Sequence, residues 1–382
     1  MWKQCRSAGD QENSRKHKKS DVKRLIVRKH FDDKINKMIS SNETNISFTE
    51  DDLKHYPRYL YKYRDCKQNY NFQMIEEEYL WADIPASFYD PYDALVNLKL
   101  KSELPYIQKW LFDHLGEILY YSIPPKGMAV HKRGQTLQNY LDAQERFKDA
   151  SGKYNANKAK KLMLLETKKM DPANRLKLQK VYDKFESPDF EETLNQAIEN
   201  TLKSVVNSLR EKNKVCCLTK RRDNQKMWED YADKYTGFVI EFDLEKAYNH
   251  IECMKIVSKL FPVTYYKRMP KVPMLPFIKK AFYKELYGKD VCDDAAERKL
   301  FKQLLIKKND YCSEEEWRII SSESRIPFPL ISAIYAGYLI SDDDLSALKS
   351  ICKEKHIELY KQRFSLVGDM RFDLVYKHEE RN

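Results

Sequence analysis

Residues 237–243 read Gly-Phe-Val-Ile-Glu-Phe-Asp and form the plainest strand pattern in the chain. Successive side chains of a strand point to opposite faces of the sheet. Phe238, Ile240 and Phe242 should therefore share one face, while Val239 and the two acidic residues occupy the other. The pattern predicts a strand with one apolar face and one partly charged face.

Further strands are predicted on both sides of a long helical region. They lie at residues 58–64, 79–83, 214–219, 262–266 and 315–320, with one more within 330–340. Short helices are predicted at 69–77 and 227–232, and a longer helical stretch at about 275–308. Between residues 103 and 213, apolar side chains recur near helical spacing in a strongly charged background. The fold class is therefore α+β, with a mixed or antiparallel sheet core and a large helical insertion.

This pattern predicts three regions in the 382-residue chain. Residues 1–50 form a basic N-terminal arm and helix, residues 51–102 and 214–382 form the α+β core, and residues 103–213 form the helical insertion. The formal net charge is +11, and residues 1–30 hold ten Lys or Arg against three acidic residues. Because the basic charge is concentrated in the arm, the arm is the part expected to contact nucleic acid.

Composition excludes several kinds of site. The chain has only 9 Gly, where ordinary usage of about 7% predicts nearly thirty. Neither the dinucleotide fingerprint nor the P-loop pattern occurs, and the Cys and His residues show no metal-binding spacing. No apolar run is long enough to cross a membrane, and there is no signal-peptide pattern. We therefore expect a cytoplasmic protein with reduced thiols and no membrane contact.

Several short motifs in a fixed order point to one family. Residues 60–64 read Leu-Tyr-Lys-Tyr-Arg, followed by Leu-Trp at 80–81 and by Asp-Pro-Tyr-Asp at 90–93. Met-Trp-x-x-Tyr-Ala begins at Met227, Gly-Phe at Gly237, and Glu-x-Glu-Trp-Arg-Ile at Glu314. This ordered set resembles the bacterial domain-of-unknown-function family twenty-nine seventy-one. The chain departs from that family's signature at Tyr89, where Asn is usual, and at Asp230, where His is usual.

The element order also resembles, more remotely, that of ADP-ribosyltransferases, which use a first-strand motif to hold NAD and a late strand that carries Glu. The resemblance implies NAD as substrate, with a transferase or glycohydrolase activity of the kind that often serves bacterial defence or acts as a toxin. It also implies Glu316 and Glu314 as catalytic residues. The residues that it implies for NAD binding are Tyr61, Lys62, Tyr63, Arg64, Tyr89, Asp90, Trp228, Tyr231 and Arg318.

The acidic run at residues 314–316 suits this chemistry. Breaking the nicotinamide–ribose bond gives a centre with oxocarbenium character, which a carboxylate beside it stabilises. On a strand, Glu314, Glu316 and Arg318 would share one face. Two carboxylates close together push one pKa upward, which leaves one anion and one candidate general base.

Each of these residues also has a structural interpretation. The acidic run can be a solvated strand end, and Arg318 can pair with Glu241 or Asp243 across a sheet. Residues 227–231 have the spacing of core packing, and Asp93 can cap a helix that begins near residue 94.

Two further functional hypotheses remain open at the level of the sequence. One is a nucleic-acid-binding or nuclease-type protein, because the basic arm and 26 Tyr suit single-strand binding. The other is a non-enzymatic interaction module, in which the helical insertion is the surface for a protein partner.

Overall fold

The computed structural model describes the following parts of the chain: residues 27, 29–39, 49–88, 93, 96–98, 102–104, 106, 107, 110, 150, 172, 176, 190–287, 291, 293–364 and 369–377. Most of the basic arm, most of the predicted insertion, Tyr89 and Asp90 lie outside these residues. The chain divides into two compact units. The first contains residues 1–96, 209–270 and 297–382, and the second contains residues 97–208 and 271–296. The predicted domain limits stay a prediction.

Within the described residues, the first unit is built on an eight-stranded mixed sheet. Its strand order is β12-β11-β10-β4-β1-β3-β8-β5. Neighbouring strands are antiparallel except β10 and β11, which are parallel. The strands are β1 (Tyr59–Arg64), β2 (Tyr79–Trp81), β3 (Lys214–Thr219), β4 (Phe238–Asp243), β5 (Leu260–Pro262), β6 (Thr264–Tyr266), β7 (Ile306–Lys308), β8 (Glu316–Ser321), β9 (Arg325–Pro327), β10 (Ile331–Ala336), β11 (Glu358–Phe364) and β12 (Met370–Tyr376).

Helices occur in both units. Because the structure combines helices with a mixed sheet, the α+β prediction is confirmed. The helices are α1 (29–39), α2 (Glu50–Leu53), α3 (Asn69–Glu76), α4 (Phe190–Lys212), α5 (Gln225–Tyr231), α6 (Ile251–Val257), α7 (Leu275–Tyr287), α8 (Asp294–Phe301) and α9 (Asp342–Lys355). Short 3-10 turns occur at Pro85–Ser87, Leu244–Asn249, Lys302–Leu305 and Asn309–Glu314. In the second unit, Trp110 packs edge-to-face on Phe282 of α7, with ring centroids 4.9 Å apart.

Strand β4 lies in the middle of the sheet and is buried on both faces. Phe238, Ile240 and Phe242 belong to the main apolar core, as the alternation predicts. Val239 belongs to a separate cluster on the other face. That second face also carries Glu241, which is buried. The sheet therefore has one mainly apolar face, which also carries Lys62 and Arg64, and one face that mixes aromatic and charged side chains.

Two predicted elements differ from the structure because strand pairing overrides local pattern. The single strand predicted at 262–266 is divided at Val263, with β5 in the main sheet and β6 in a separate two-stranded sheet. The helix predicted to reach residue 308 ends earlier. Its last three residues form β7, which pairs in parallel with β6. This pairing places Lys307 opposite Tyr265.

Helix α1 packs on the apolar core of the first unit and carries a buried lysine. Phe31 and Ile35 are core residues, and Lys34 is only 6% exposed. The Lys34 amine donates to the Tyr56 hydroxyl and to the Leu260 carbonyl, and it lies 4.5 Å from the centroid of the Phe261 ring. Burial lowers the pKa of Lys34 from 10.5 to about 7.

We expect Lys34→Met to raise the free energy of unfolding by about 1–4 kcal/mol at neutral pH, because a buried charge gives way to an apolar side chain. The pKa of Lys34 is lower in the folded state, so the unfolded chain binds the extra proton between pH 7 and 10.5. Wild-type stability should therefore rise with pH across this window, by up to about 1.4 kcal/mol per pH unit.

Urea unfolding at several pH values between 7 and 10 measures both effects. In Lys34→Met, the free energy of unfolding should no longer show the increase with pH that Lys34 causes. Lys37→Met, on the exposed side of α1, should keep this increase. An unchanged rise in Lys34→Met would show that Lys34 is not its source.

Candidate active site

Strand β8 begins at Glu316 and places two charged side chains on the mixed face of the sheet. Its register pairs Glu316 with Thr219 and Arg318 with Cys217 on β3. Glu316 and Arg318 share a face, as the period of two predicts. The Arg318 Nε donates to Glu316 Oε1 at 2.7 Å, so their proximity is direct.

Glu314 also lies beside Glu316, but its backbone is not part of strand β8, contrary to the prediction. It is not on the strand but ends the 3-10 turn Asn309–Glu314, and Glu315 has left-handed backbone angles of φ 44° and ψ 49°. The prediction that strand alternation aligns Glu314 with Glu316 is therefore wrong. The reversal at Glu315 nonetheless brings Glu314 to the group that binds Glu316.

That group is the buried amine of Lys307. Its Nζ lies 2.7 Å from Glu314 Oε2, 3.0 Å from Glu316 Oε2 and 3.5 Å from Asp93 Oδ2. Lys307 was predicted to be helical, and nothing in its local sequence indicates a site residue. Strand β7 positions it, because its pairing with β6 fixes the direction of the side chain.

Arg318 binds two of these three carboxylates, Glu316 and Asp93. Its Nη2 donates to Asp93 Oδ1 at 2.6 Å and its Nη1 donates to the Leu304 carbonyl at 2.8 Å. The alternative that Arg318 pairs with Glu241 or Asp243 is wrong, since its acidic partners are Glu316 and Asp93. Asp93, considered from the sequence as a helix cap, is a member of this cluster.

The ion cluster thus contains three carboxylates and two cations, and all five side chains are buried: Asp93, Lys307, Glu314, Glu316 and Arg318. Arg318 has no exposed surface. With both cations charged, the carboxylates exceed the cations by one. The cluster is therefore a place where a proton or an external positive charge is favoured.

The two glutamates have pKa values shifted in opposite directions. Burial raises the pKa of Glu314, and the Lys307 charge offsets only part of that rise. Burial also opposes the ionised form of Glu316, but the charges of Arg318 and Lys307 outweigh it and lower its pKa to about 2. The pair therefore contains one fixed anion and one carboxyl group suited to proton transfer.

Tyrosine side chains border the ion cluster. The Tyr265 hydroxyl accepts a hydrogen bond from the Glu316 backbone amide at 2.8 Å. Lys307 Nζ lies 4.9 Å from the Tyr311 ring centroid. Burial and the nearby Glu314 charge raise the pKa of Tyr231, which is nevertheless 47% exposed. Tyr231 is thus a neighbour of the cluster that a ligand can contact from solvent.

A second buried carboxylate lies on the same sheet face. Glu241 accepts hydrogen bonds from Ser332 Oγ at 2.8 Å and from the Tyr335 hydroxyl at 2.9 Å. Tyr61 faces it from β1, and Arg222 stacks over the Tyr335 ring with its guanidinium 4.5 Å from the centroid. Glu241 is not among the predicted site residues, although a charged residue in so apolar a strand indicates a buried polar site.

The register also brings the predicted first-strand motif toward the ion cluster. Tyr61 pairs with Thr219, and Thr219 pairs with Glu316. The three residues therefore lie on adjacent strands of one face, with Tyr61 and Glu316 about 10 Å apart along the sheet. Tyr61, Tyr231, Glu314, Glu316 and Arg318 are the predicted site residues that the structure brings to one region.

Two other predicted ligand residues, Trp228 and Tyr63, are buried in the protein interior. Trp228 is fully buried and its Nε1 donates to the Arg222 carbonyl at 2.9 Å. Tyr63 packs edge-to-face on Trp228 and donates to the Arg221 carbonyl at 2.8 Å. Gly237 is required by packing, because a Cβ there would lie 2.1 Å from the Arg64 carbonyl oxygen. Much of the Met-Trp-x-x-Tyr-Ala and Gly-Phe motif thus maintains the fold.

Lys62 and Arg64 alternate with Tyr61 and Tyr63 and so point to the opposite face of the sheet. Lys62 Nζ donates to the Cys217 carbonyl at 2.6 Å, and Arg64 Nε donates to Met74 Sδ at 3.4 Å. Burial lowers the pKa of Lys62 and the Glu316 charge opposes that shift, so the Lys62 amine lies within electrostatic range of Glu316 although its side chain starts from the opposite face. The positions of Tyr89 and Asp90 lie outside the described residues.

Two kinds of feature are absent from the part of the chain that the structure describes. None of its helices is both long enough and apolar enough to cross a membrane. No three His, Cys, Asp or Glu side chains there are grouped to hold a metal ion. In the ion cluster, Lys307 and Arg318 occupy carboxylate oxygens that a cation would need.

Comparison with known proteins gives one match. The model of a family described as protein of unknown function (DUF2971) matches residues 227–319. No curated protein and no solved structure matches the chain. The matched segment begins at Met227 and ends at Ile319, so it contains the later predicted motifs and excludes those at residues 60–64 and 90–93. Over residues 227–319 the chain is similar to the DUF2971 family, and the predicted family resemblance is confirmed for this segment.

Proposed function

We propose that the chain is an NAD-consuming enzyme of the ADP-ribosyltransferase type. The observation that carries this proposal is the pair formed by Glu314 and Glu316 around Lys307, in which one carboxyl pKa is raised and the other is lowered to about 2. Enzymes that pass through oxocarbenium-like transition states often use two carboxyl groups whose pKa values are shifted apart in this way.

In the proposed reaction, the bond between ribose C1′ and the nicotinamide nitrogen breaks. Its electron pair goes to the nicotinamide ring, which leaves as a neutral molecule. A lone pair on an acceptor oxygen or nitrogen forms the new bond to C1′, and the acceptor proton goes to the Glu314 carboxylate. If water is the acceptor, the product is ADP-ribose.

The two glutamates have separate roles in this proposal. Glu316 remains ionised because Arg318 and Lys307 surround it, and it acts as the fixed negative charge near the developing cation. Glu314 is the general base, because burial favours its neutral form once it has accepted the proton. The buried surroundings strengthen both effects.

Aromatic side chains on the same face provide the proposed contacts to NAD. Tyr231 is 47% exposed beside Glu314, and Tyr61 lies two strands from Glu316. A cationic nicotinamide ring is attracted to the face of a tyrosine ring. Trp228, Tyr63, Lys62 and Arg64 have no ligand role in this proposal. A cytoplasmic location belongs to the proposal through the composition of the chain, and a role in bacterial defence or as a toxin belongs to it through the resemblance to ADP-ribosyltransferases.

We expect Glu314→Gln to lower the rate of nicotinamide release from NAD by about 100-fold or more, because glutamine cannot accept the proton. The variant should fold normally, since burial already favours an uncharged group at this position. Release is measured by mass spectrometry with purified protein, and thermal unfolding confirms the fold.

Glu315→Gln is the matched control. Glu315 is adjacent in sequence but only partly buried, and it pairs with Lys220 and Arg221 outside the ion cluster. The rate of nicotinamide release by Glu315→Gln should remain within about twofold of wild type, because a surface ion pair contributes little free energy. If Glu314→Gln releases nicotinamide as fast as Glu315→Gln does, Glu314 is not the base.

A further inference from the structure

Two groups of exposed cations lie in segments that contact the ion cluster. Three follow β3 in the loop and first turn of α5, and three lie at the ends of β6 and β7. We call these six residues the basic rim: Lys220, Arg221, Lys226, Lys267, Arg268 and Lys308. The rim belongs to the first unit, and none of its residues is part of the sequence of the basic N-terminal arm.

The first half of the rim is tied to the 3-10 turn that carries Glu314. Lys220 Nζ lies 3.2 Å from Glu315 Oε2. Asn224 Nδ2 donates to the Ser313 carbonyl at 2.8 Å, and Lys226 Nζ lies 5.2 Å from the Tyr311 ring centroid. These contacts place the cations of residues 220–226 beside the cluster and on its solvent side.

The second half of the rim is positioned by the small parallel sheet. Tyr266 at the end of β6 pairs with Lys308 at the end of β7, and Lys267 and Arg268 follow directly with exposed side chains. Lys307, immediately before Lys308, binds the two catalytic candidates. The cations after these strands therefore lie within three residues of Tyr265, which contacts the ion cluster, or of Lys307, which belongs to it.

The charge of this region is positive. Residues 220–226, 266–268 and 308–315 contain seven cations, the six of the rim and Arg222, against four carboxylates, namely Asp223, Asp310, Glu314 and Glu315. The pairs that Glu315 and Asp223 make with Lys220 and Arg221 are surface pairs, with the two cations 43% and 45% exposed. Such pairs have little net energy, so a polyanion can replace the carboxylates.

Tyrosine rings lie among these cations. Tyr231 is 47% exposed, and Tyr266 and Tyr311 are partly exposed. A positively charged surface with interspersed aromatic rings is the combination that binds single-stranded nucleic acid, because phosphates meet the cations and unpaired bases stack on the rings. A phosphate-free acidic peptide would use the cations but not the rings.

We propose that the basic rim binds single-stranded nucleic acid and holds it beside Glu314 as the acceptor of the ADP-ribosyl group. The role as acceptor rests on the proposed function, whereas binding to the rim does not. The single-strand preference comes from the exposed tyrosines, and DNA and RNA share the chemistry that the rim recognises.

Fluorescence polarisation of labelled 12-nucleotide oligo-dT and oligo-U, with the full chain and without NAD, tests the binding. Lys226→Ala combined with Arg268→Ala should weaken binding at least about tenfold and reduce the salt dependence by up to about 1.4 in log–log slope. The matched control is Lys349→Ala with Lys353→Ala on α9, which packs on the opposite, apolar face of the sheet. It loses the same charge and should bind like wild type.

Equal affinities for the rim variant and the control would overturn the proposal and assign any binding to the N-terminal arm. Equal affinity for a duplex of the same length, or for a polyglutamate peptide, would overturn the assignment to single strands. Because binding is measured without NAD, rim-dependent binding in a protein that never releases nicotinamide would reject the proposed enzyme and keep the rim as a nucleic-acid site.

Discussion

Replacing Arg318 by methionine should lower the free energy of unfolding by about 3–5 kcal/mol. Arg318 has no exposed surface, and its guanidinium donates to Glu316, Asp93 and the Leu304 carbonyl. Without it, two buried carboxylates lose their closest cation and one carbonyl loses its donor. Leaving a buried charge uncompensated costs much more than the intact pair contributes. Urea unfolding followed by circular dichroism measures the change.

Arg363→Met is the matched control, since it removes the same side chain from an exposed ion pair. Arg363 Nε lies 3.1 Å from Asp373 Oδ2, and its side chain is 64% exposed. Solvent screens this pair, so its loss should cost about 1 kcal/mol or less. An Arg318→Met variant as stable as Arg363→Met would contradict the buried ion cluster.

Removing Glu316 together with Arg318 should cost less than the sum of the two single changes. Glu316→Leu alone leaves the Arg318 guanidinium with Asp93 as its acidic partner in a buried site. In the double variant both opposite charges are gone, and Lys307 still pairs with Asp93 and Glu314. We expect a coupling energy of about 2–3 kcal/mol from a double-mutant cycle of unfolding free energies.

Additive effects within about 0.5 kcal/mol would mean that Glu316 and Arg318 act independently. The corresponding cycle on Arg363 and Asp373 is the control, and its coupling should stay below about 1 kcal/mol. The comparison separates a buried, desolvated pair from an exposed pair of the same chemical type.

Most of the sheet could be predicted because its strands carry a local signal. Strands β1, β3 and β4 follow from alternation and from β-branched and aromatic residues in short runs. The exceptions have a common cause. Residues 306–308 follow a helical pattern but form a strand, because β6 offers an unpaired parallel partner that no local sequence can indicate. Val263 divides β5 from β6 for the same reason, since each half pairs with a different sheet.

The site could be predicted only where its residues are close in sequence. Glu316 and Arg318 follow from the period of two on β8, whereas Glu314 arrives through the left-handed backbone at Glu315. Asp93 and Lys307 come from distant segments, and their role depends on strand pairing and burial. Trp228 is buried and Arg64 contacts Met74, so the structure shows interior contacts for these two residues and their predicted ligand roles stay predictions.

The rate of nicotinamide release from NAD by the wild-type chain, measured by mass spectrometry from pH 4 to 8, tests the central claim most directly. The account predicts release that increases with pH through an ionisation above the ordinary glutamate value of about 4.3, because Glu314 must be ionised to act as base and burial raises its pKa. This ionisation should be missing in Glu314→Gln. No release at any pH would contradict the account, and the cluster of Glu314, Glu316 and Lys307 would then be an ion network that only supports the sheet.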